Sequence, residues 1–256
     1  MLTFAIAFLL LLSPLALLIL IHQGLSQLLS RKISQRPLSK AMFYASAMIG
    51  TPLHELSHAV MALVFGHKIH KIKFFQFGQD GRLGYVEHNW NRRSLYQSIG
   101  MFFIAIAPML VAMLALWGLA THLNIHIVES SRRSLFTPSL LDLARFIWDH
   151  ASMLLSQILV FSTTGWLNVL WLLLASLVCF HCVPSTTDFK HAFKGALLVG
   201  VILCAAWFIA VYFMSNHAAL LNSIFHLWLN VSAFSLVIAA LSLIWWTVLW
   251  LLSLIG

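Results

Sequence analysis

The chain has 256 residues, with 15 Lys and Arg against 7 Asp and Glu; 61% of residues are apolar and only 9% charged, at a mean hydropathy of +0.92. A soluble domain carries about 25% charged residues, so there are too few charges here to cover a water-facing surface, and the composition reads as an integral membrane protein. A disordered chain, a secreted disulfide scaffold and an ordinary nucleic-acid binder are excluded, because the surplus of +8 is spread over loops rather than gathered in one basic stripe, and is better read as headgroup contact.

A helix needs about 20 mostly apolar residues to cross the hydrocarbon, and backbone polar groups in lipid must be satisfied internally. Six such runs are predicted: Leu2–Ile21, then roughly 41–66, 94–120, 165–183, 195–214 and 227–255. The first has no positive residue ahead of it and no small-x-small pattern behind it, which predicts an anchor rather than a cleaved leader. Ala151–Phe161 is too short to span and is expected to be interfacial or re-entrant. Between the second and third runs, Ile69–Phe77 is β-branched and aromatic, Gly78-Gln79-Asp80-Gly81 reads as a turn, and Arg82–His88 is a second short run; together they predict a β-hairpin of imperfect alternation. The predicted architecture is an all-α polytopic membrane protein with one small hairpin, in a single integral membrane domain over residues 1–256. A core of about 41–195 carries additional helices at 2–21 and 227–255. Lys and Arg divide almost evenly between the two sides of the six-span layout, so charge assigns no orientation. The location expected is a bacterial cytoplasmic (inner) membrane.

Asp80, Glu87, Glu129, Asp142 and Asp149 sit in predicted loops, whereas Glu55 lies inside the second apolar run, where a carboxylate is costly and usually marks function. Its surroundings read His54-Glu55-Leu56-Ser57-His58, an HExxH motif. On a helix, the i, i+4 spacing stacks both imidazoles on one face, where they can share a Zn2+, while the glutamate leans toward the metal's water. Thr51-Pro52 also resembles an N-cap followed by a first-turn proline, which predicts a new helix starting just before His54.

A hydrolytic zinc site takes three protein ligands and keeps one position open. The third donor is sought among Asp188, His181, Cys179, Cys182 and His226, with Asp188 ranked first and His181 second on ligand type and burial. Ser185-x-x-Asp188 is also a capping box, which would use the same carboxylate to start a helix. The cysteines, including Cys204, lie in apolar runs and read as small buried hydrophobes. His22, His67, His70, His88, His122, His126, His150, His191 and His217 fall in loops or at span ends and are read as interfacial rings.

The order of these features resembles the site-2 protease family of intramembrane zinc metalloproteases. The resemblance rests on HExxH inside a span, a β-like segment directly after it at 69–88, a following span with Gly100 and Ala107-Pro108, and an Asp beyond a later span. It implies a core of three helices, His54 and His58 as zinc ligands, Glu55 as catalytic base and an aspartate, by position Asp188, as third ligand. The family's Asp-Gly pair near an Asn-Pro stretch is absent, since Phe189 follows Asp188 and Pro-Ser-Thr-Thr precedes it. No loop is long enough for a PDZ-like domain, which implies a minimal member.

The function expected is hydrolysis of peptide bonds in or near transmembrane segments of a membrane protein or peptide substrate, with the lipid bilayer as surroundings and no nucleic acid. Strand addition on the 69–77 segment, with Ile72 and Phe74 as substrate-binding residues, would hold such a segment open. A zinc-binding membrane transporter and a non-catalytic pseudoprotease scaffold are the alternatives. Transport needs polar groups at several depths, and the runs 2–21, 195–214 and 227–255 contain no Asp, Glu, His, Lys or Arg.

Overall fold

The computed structural model describes residues 2–77, 82–122, 140–213 and 217–255. It is mostly helical: α1 (Leu2–Gln35), α2 (Pro37–Val64), α3 (Leu95–His122), α4 (Leu140–Ser162), α5 (Trp166–His181), α6 (Thr186–Phe213) and α7 (His217–Ile255), with β1 (Lys68–Lys73) and β2 (Tyr85–Asn89) between α2 and α3. The expected turn at 78–81 lies outside the described residues. Two described stretches, Leu95–Gly118 and Leu229–Ile255, are long and apolar enough to cross a membrane. α2 has the length, but Gly50, Thr51 and the polar groups of HExxH dilute its apolar character, and α5 has only 16 residues.

The structure departs from the six-run layout at α4. Where a loop and a short interfacial stretch were expected, residues 140–162 form one helix whose buried positions are Leu143, Ile147, Ala151, Leu154 and Ile158. Steps of four, four, three and four make one continuous stripe, which hydropathy averaging hides because Asp142, Arg145 and Asp149 occupy the intervening face. That stripe packs on α7, which also lies against α1 and α5. The main core joins Leu18 and Ile19 of α1, Met109, Ala112 and Leu116 of α3, Val178 and Cys179 of α5, and Ala233, Val237 and Leu241 of α7. Close approach relies on small residues: a Cβ at Gly195 of α6 would lie 2.6 Å from the Phe102 nitrogen of α3.

α2 does not restart at Thr51-Pro52; it runs through Pro52, with Gly50 and Thr51 buried in its interior. It ends in a Schellman motif. Gly66 takes φ +70°, its N–H donates to the Leu63 carbonyl at 2.9 Å, and the His67 N–H reaches the Ala62 carbonyl at 2.8 Å. The left-handed glycine turns the chain straight into β1. The Tyr96 hydroxyl then donates to the Val64 carbonyl at 2.6 Å and the Gln97 amide to the Gly66 carbonyl at 2.9 Å, tying this corner to the start of α3.

β1 and β2 pair antiparallel, Ile69 with His88, Lys71 with Glu87, Ile72 with Val86 and Lys73 with Tyr85, with a bulge between Ile69 and Lys71. The bulge explains the imperfect alternation: one extra residue, His70, returns Ile69 and Ile72 to the same half-buried face despite their odd spacing. Strand β1 is shorter than the expected 69–77 run, although the Gln76 N–H still donates to the Leu83 carbonyl at 2.7 Å.

At the base of the hairpin the buried His67 donates from Nε2 to the Gln97 carbonyl at 2.8 Å and meets His88 Nδ1 through its Nδ1 at 3.0 Å, stacked beside Trp90. Burial, partly offset by that carbonyl, holds the His67 imidazole below its ordinary 6.5. The unfolded chain therefore accepts the proton first, so this contribution to stability is complete above pH 6.5 and is lost as pH falls below it. Replacing His67 with Gln should flatten the pH dependence of thermal unfolding between about pH 7 and 5, measured by circular dichroism in detergent.

Candidate metal centre

The fifth and sixth turns of α2 bring His54, Glu55 and His58 to one side of the helix, where Glu55 and His58 are buried. Each imidazole is held from behind by a backbone carbonyl. His54 Nδ1 lies 2.7 Å from the carbonyl oxygen of His181, at the end of α5, and His58 Nδ1 lies 2.7 Å from that of Ile104 in α3. A carbonyl can only accept, so both Nδ1 atoms carry the proton and both Nε2 atoms present bare lone pairs in the neutral ring. The two Nε2 atoms face each other at 3.0 Å.

Asp188 completes the set from the first turn of α6. Its Oδ2 lies 3.5 Å from His54 Nε2 and its Oδ1 3.4 Å from His58 Nε2. Metal–ligand bonds of about 2.0–2.2 Å in a tetrahedron place neighbouring donors roughly 3.3–3.6 Å apart; each Asp188 oxygen lies about that far from one imidazole, and the two Nε2 atoms are somewhat closer. Among the described residues this is the group of three donors able to hold a metal ion. The chemistry of the donors fits as well, since two neutral imidazoles aiming lone pairs at each other beside a carboxylate repel unless a cation lies between them.

The capping box and the metal role turn out to be compatible. Asp188 Oδ2 accepts from the Ser185 N–H at 2.8 Å and from the Ser185 hydroxyl at 2.7 Å, while the Asp188 N–H donates to Ser185 Oγ at 3.2 Å. His181 is not placed as a ligand. Ser46 Oγ donates to the Phe43 carbonyl, so His181 Nε2–H donates to Ser46 Oγ at 3.0 Å and has no lone pair to offer there. Its contribution is the main-chain oxygen that orients His54. Cys179 and Cys182 are fully buried in the apolar core, and His226 lies outside the donor group.

These groups open onto a cavity of about 760 Å³. One wall is Arg82–His88, the arm leading into and along β2; Ile72 and Phe74, expected at the substrate site, belong to β1 and the residue just after it, and Phe74 is exposed. A Cβ at Gly84 would sit 2.7 Å from Glu55 Cγ and 2.9 Å from both the Lys73 carbonyl oxygen and Thr51 Cγ2, so only glycine lets the hairpin close down on Glu55. The opposite wall comes from α1 through His22, Gln23, Ser26 and Gln27. Hydropathy reading missed this face, although its i, i+1, i+4, i+5 spacing just past an apolar run is the pattern of a polar helix stripe. His22 is not an interfacial ring: its Nδ1 lies 3.0 Å from Ser242 Oγ and accepts from the Trp246 indole N–H at 3.3 Å, inside the helix bundle.

Searches against protein-family models, curated proteins and solved structures return no match to this chain.

The carbonyl behind His54 depends on Gly50, because a Cβ there would collide with the Cβ and ring of His181. Gly50→Val should displace α5 and loosen His54, lowering Zn2+ affinity by about 10–100-fold, the range typical of lost outer-shell support, as read by titration against a competing chelator.

Proposed function

We propose that this chain is a multi-pass zinc metalloprotease of the site-2 type that hydrolyses peptide bonds in or beside membrane-spanning segments. The observation that carries the reading is the convergence of His54 Nε2, His58 Nε2 and the Asp188 carboxylate beside Glu55 in a cavity closed by the hairpin. The membrane reading is supported by large apolar side chains left exposed along whole helix faces, among them Leu167, Leu170, Leu173 and Leu174 of α5 and Leu251 and Leu254 of α7. Such continuous apolar surface is rarely left to water. About six crossings and an inner-membrane location belong to this proposal.

His54, His58 and Asp188 would hold Zn2+, whose Lewis acidity makes water nucleophilic near neutral pH. The protein's own groups do the rest. Glu55 takes the proton of the attacking water and returns it to the leaving amine, a general base and acid in turn. The His181 and Ile104 carbonyls keep both imidazoles in the tautomer that leaves Nε2 bare. The hairpin supplies strand edges on which an unwound substrate can form backbone hydrogen bonds, and it brings that strand to Glu55 through the Gly84 contact. An ion path would need further polar clusters at other depths, and among the described residues His54, His58 and Asp188 form the three-donor group.

In proteoliposomes holding a co-reconstituted membrane substrate, Glu55→Gln should lower cleavage by about 10²–10⁴-fold while one zinc per chain remains bound. Cleavage at the wild-type rate would exclude Glu55 as the base. His58→Ala should abolish zinc retention itself, measured by metal analysis of purified protein. A proline at Ile72, which removes a ladder N–H, should weaken turnover without loss of zinc.

A further inference from the structure

The hairpin carries far more positive charge than covering a cavity requires. Between residues 68 and 93 lie Lys68, Lys71, Lys73, Arg82, Arg92 and Arg93, against Asp80 and Glu87. The bulge at His70 decides where the lysines point. Without it, Lys68 would lie on the face opposite Lys71 and Lys73, because side chains alternate along a strand. With it, Lys68, Lys71 and Lys73 stand opposite Asn89, Glu87 and Tyr85, three alternate residues of β2, and all three lysines lie on one exposed face. The Lys71 ammonium lies 5.4 Å from the centre of the Tyr85 ring, and the Arg82 guanidinium 5.6 Å from the same ring, which extends the row.

The row leads to the chemistry. The Lys73 carbonyl oxygen, at its end, faces Gly84, the residue whose missing side chain leaves room for Glu55. Among the described residues the sheet has two strands, and β1 has an outer edge beyond its pairing with β2. Lysines on an edge strand ordinarily discourage another strand from pairing. That protection works against neutral and basic segments and becomes selection when the incoming strand carries carboxylates, since opposite charges directly across a ladder stabilise the pair.

Resting on the protease reading, we propose that the substrate strand of this site is acidic: an extended segment with Asp or Glu at alternate positions, paired along β1 with its carboxylates beside Lys68, Lys71 and Lys73. An anionic lipid headgroup shares the charge but not the spacing. Alternate residues of an extended peptide repeat about every 6.6–6.8 Å, the period at which β2 registers these lysines.

The test uses the full chain in zwitterionic detergent with Zn2+, in the Glu55→Gln background, and three fluorescein-labelled Thr/Val decapeptides bearing Asp, Ser or Lys at alternate positions. Fluorescence anisotropy should show the Asp peptide binding about tenfold tighter than the Ser peptide, an advantage that fades with added salt. The triple substitution Lys68→Ser, Lys71→Ser, Lys73→Ser should erase the difference, and the triple change to Glu should invert it in favour of the Lys peptide. Zinc content reports on folding, and single substitutions should give graded losses if a triple variant does not assemble. Equal binding of Asp and Ser peptides overturns the proposal. So do variants that keep the preference, or that alter only partition onto phosphatidylcholine vesicles containing phosphatidylglycerol. If the preference holds but the wild-type chain with zinc cleaves none of the peptides or the membrane substrate, the protease reading fails and acidic-strand docking stands; cleavage without preference gives the converse.

Discussion

The arrangement of this protein depends on two backbone carbonyls pointing at two imidazoles. Because His181 and Ile104 can only accept, they fix where the protons of His54 and His58 reside, and they leave two nitrogen lone pairs 3.0 Å apart with no hydrogen between them. Such a contact is unfavourable alone and favourable around a cation, so the fold stores a demand for charge at one point. The close approaches that deliver those carbonyls depend on local choices, above all Gly50, which gives His181 room beside α2.

Much of this was legible in the chain. HExxH on a helical period states that two imidazoles share a face, and the expense of Glu55 in an apolar run states that the face has a purpose. The hairpin was legible from its β-branched run and turn residues, and Asp188 from its place after a later apolar run. What the sequence hid was either non-local or masked by averaging. In residues 140–162 a hydropathy window registers only the short apolar stretch Ala151–Phe161, because Asp142, Arg145 and Asp149 on one face cancel the stripe on the other in the first half. The cavity wall from α1 was hidden because His22 and Gln23 gain their role from residues far away in the chain. The main-chain role of His181 was beyond reach for a different reason: side-chain type says nothing about where a carbonyl will point.

The hairpin shows how one residue changes what a strand displays. Lys68-Ile69-His70-Lys71-Ile72-Lys73 is neither a clean two-residue alternation nor a helical pattern, and it becomes coherent only with His70 set aside in the bulge. Apolar Ile69 and Ile72 then share the inner face and the lysines the outer one. Gly84 performs the complementary task on the other arm, omitting a side chain so that the sheet can settle on Glu55.

The double use of the Asp188 carboxylate has a mechanical consequence. One oxygen begins α6 through Ser185 while the other faces His58; His58 is braced by α3, and α3 in turn lies against α6 where Gly195 meets Phe102. α2, α3 and α6 thus form a closed triangle with the donor group at one vertex. No side of it can twist about its own axis without straining the other two, so the geometry at the vertex is inherited from the rigidity of the whole frame.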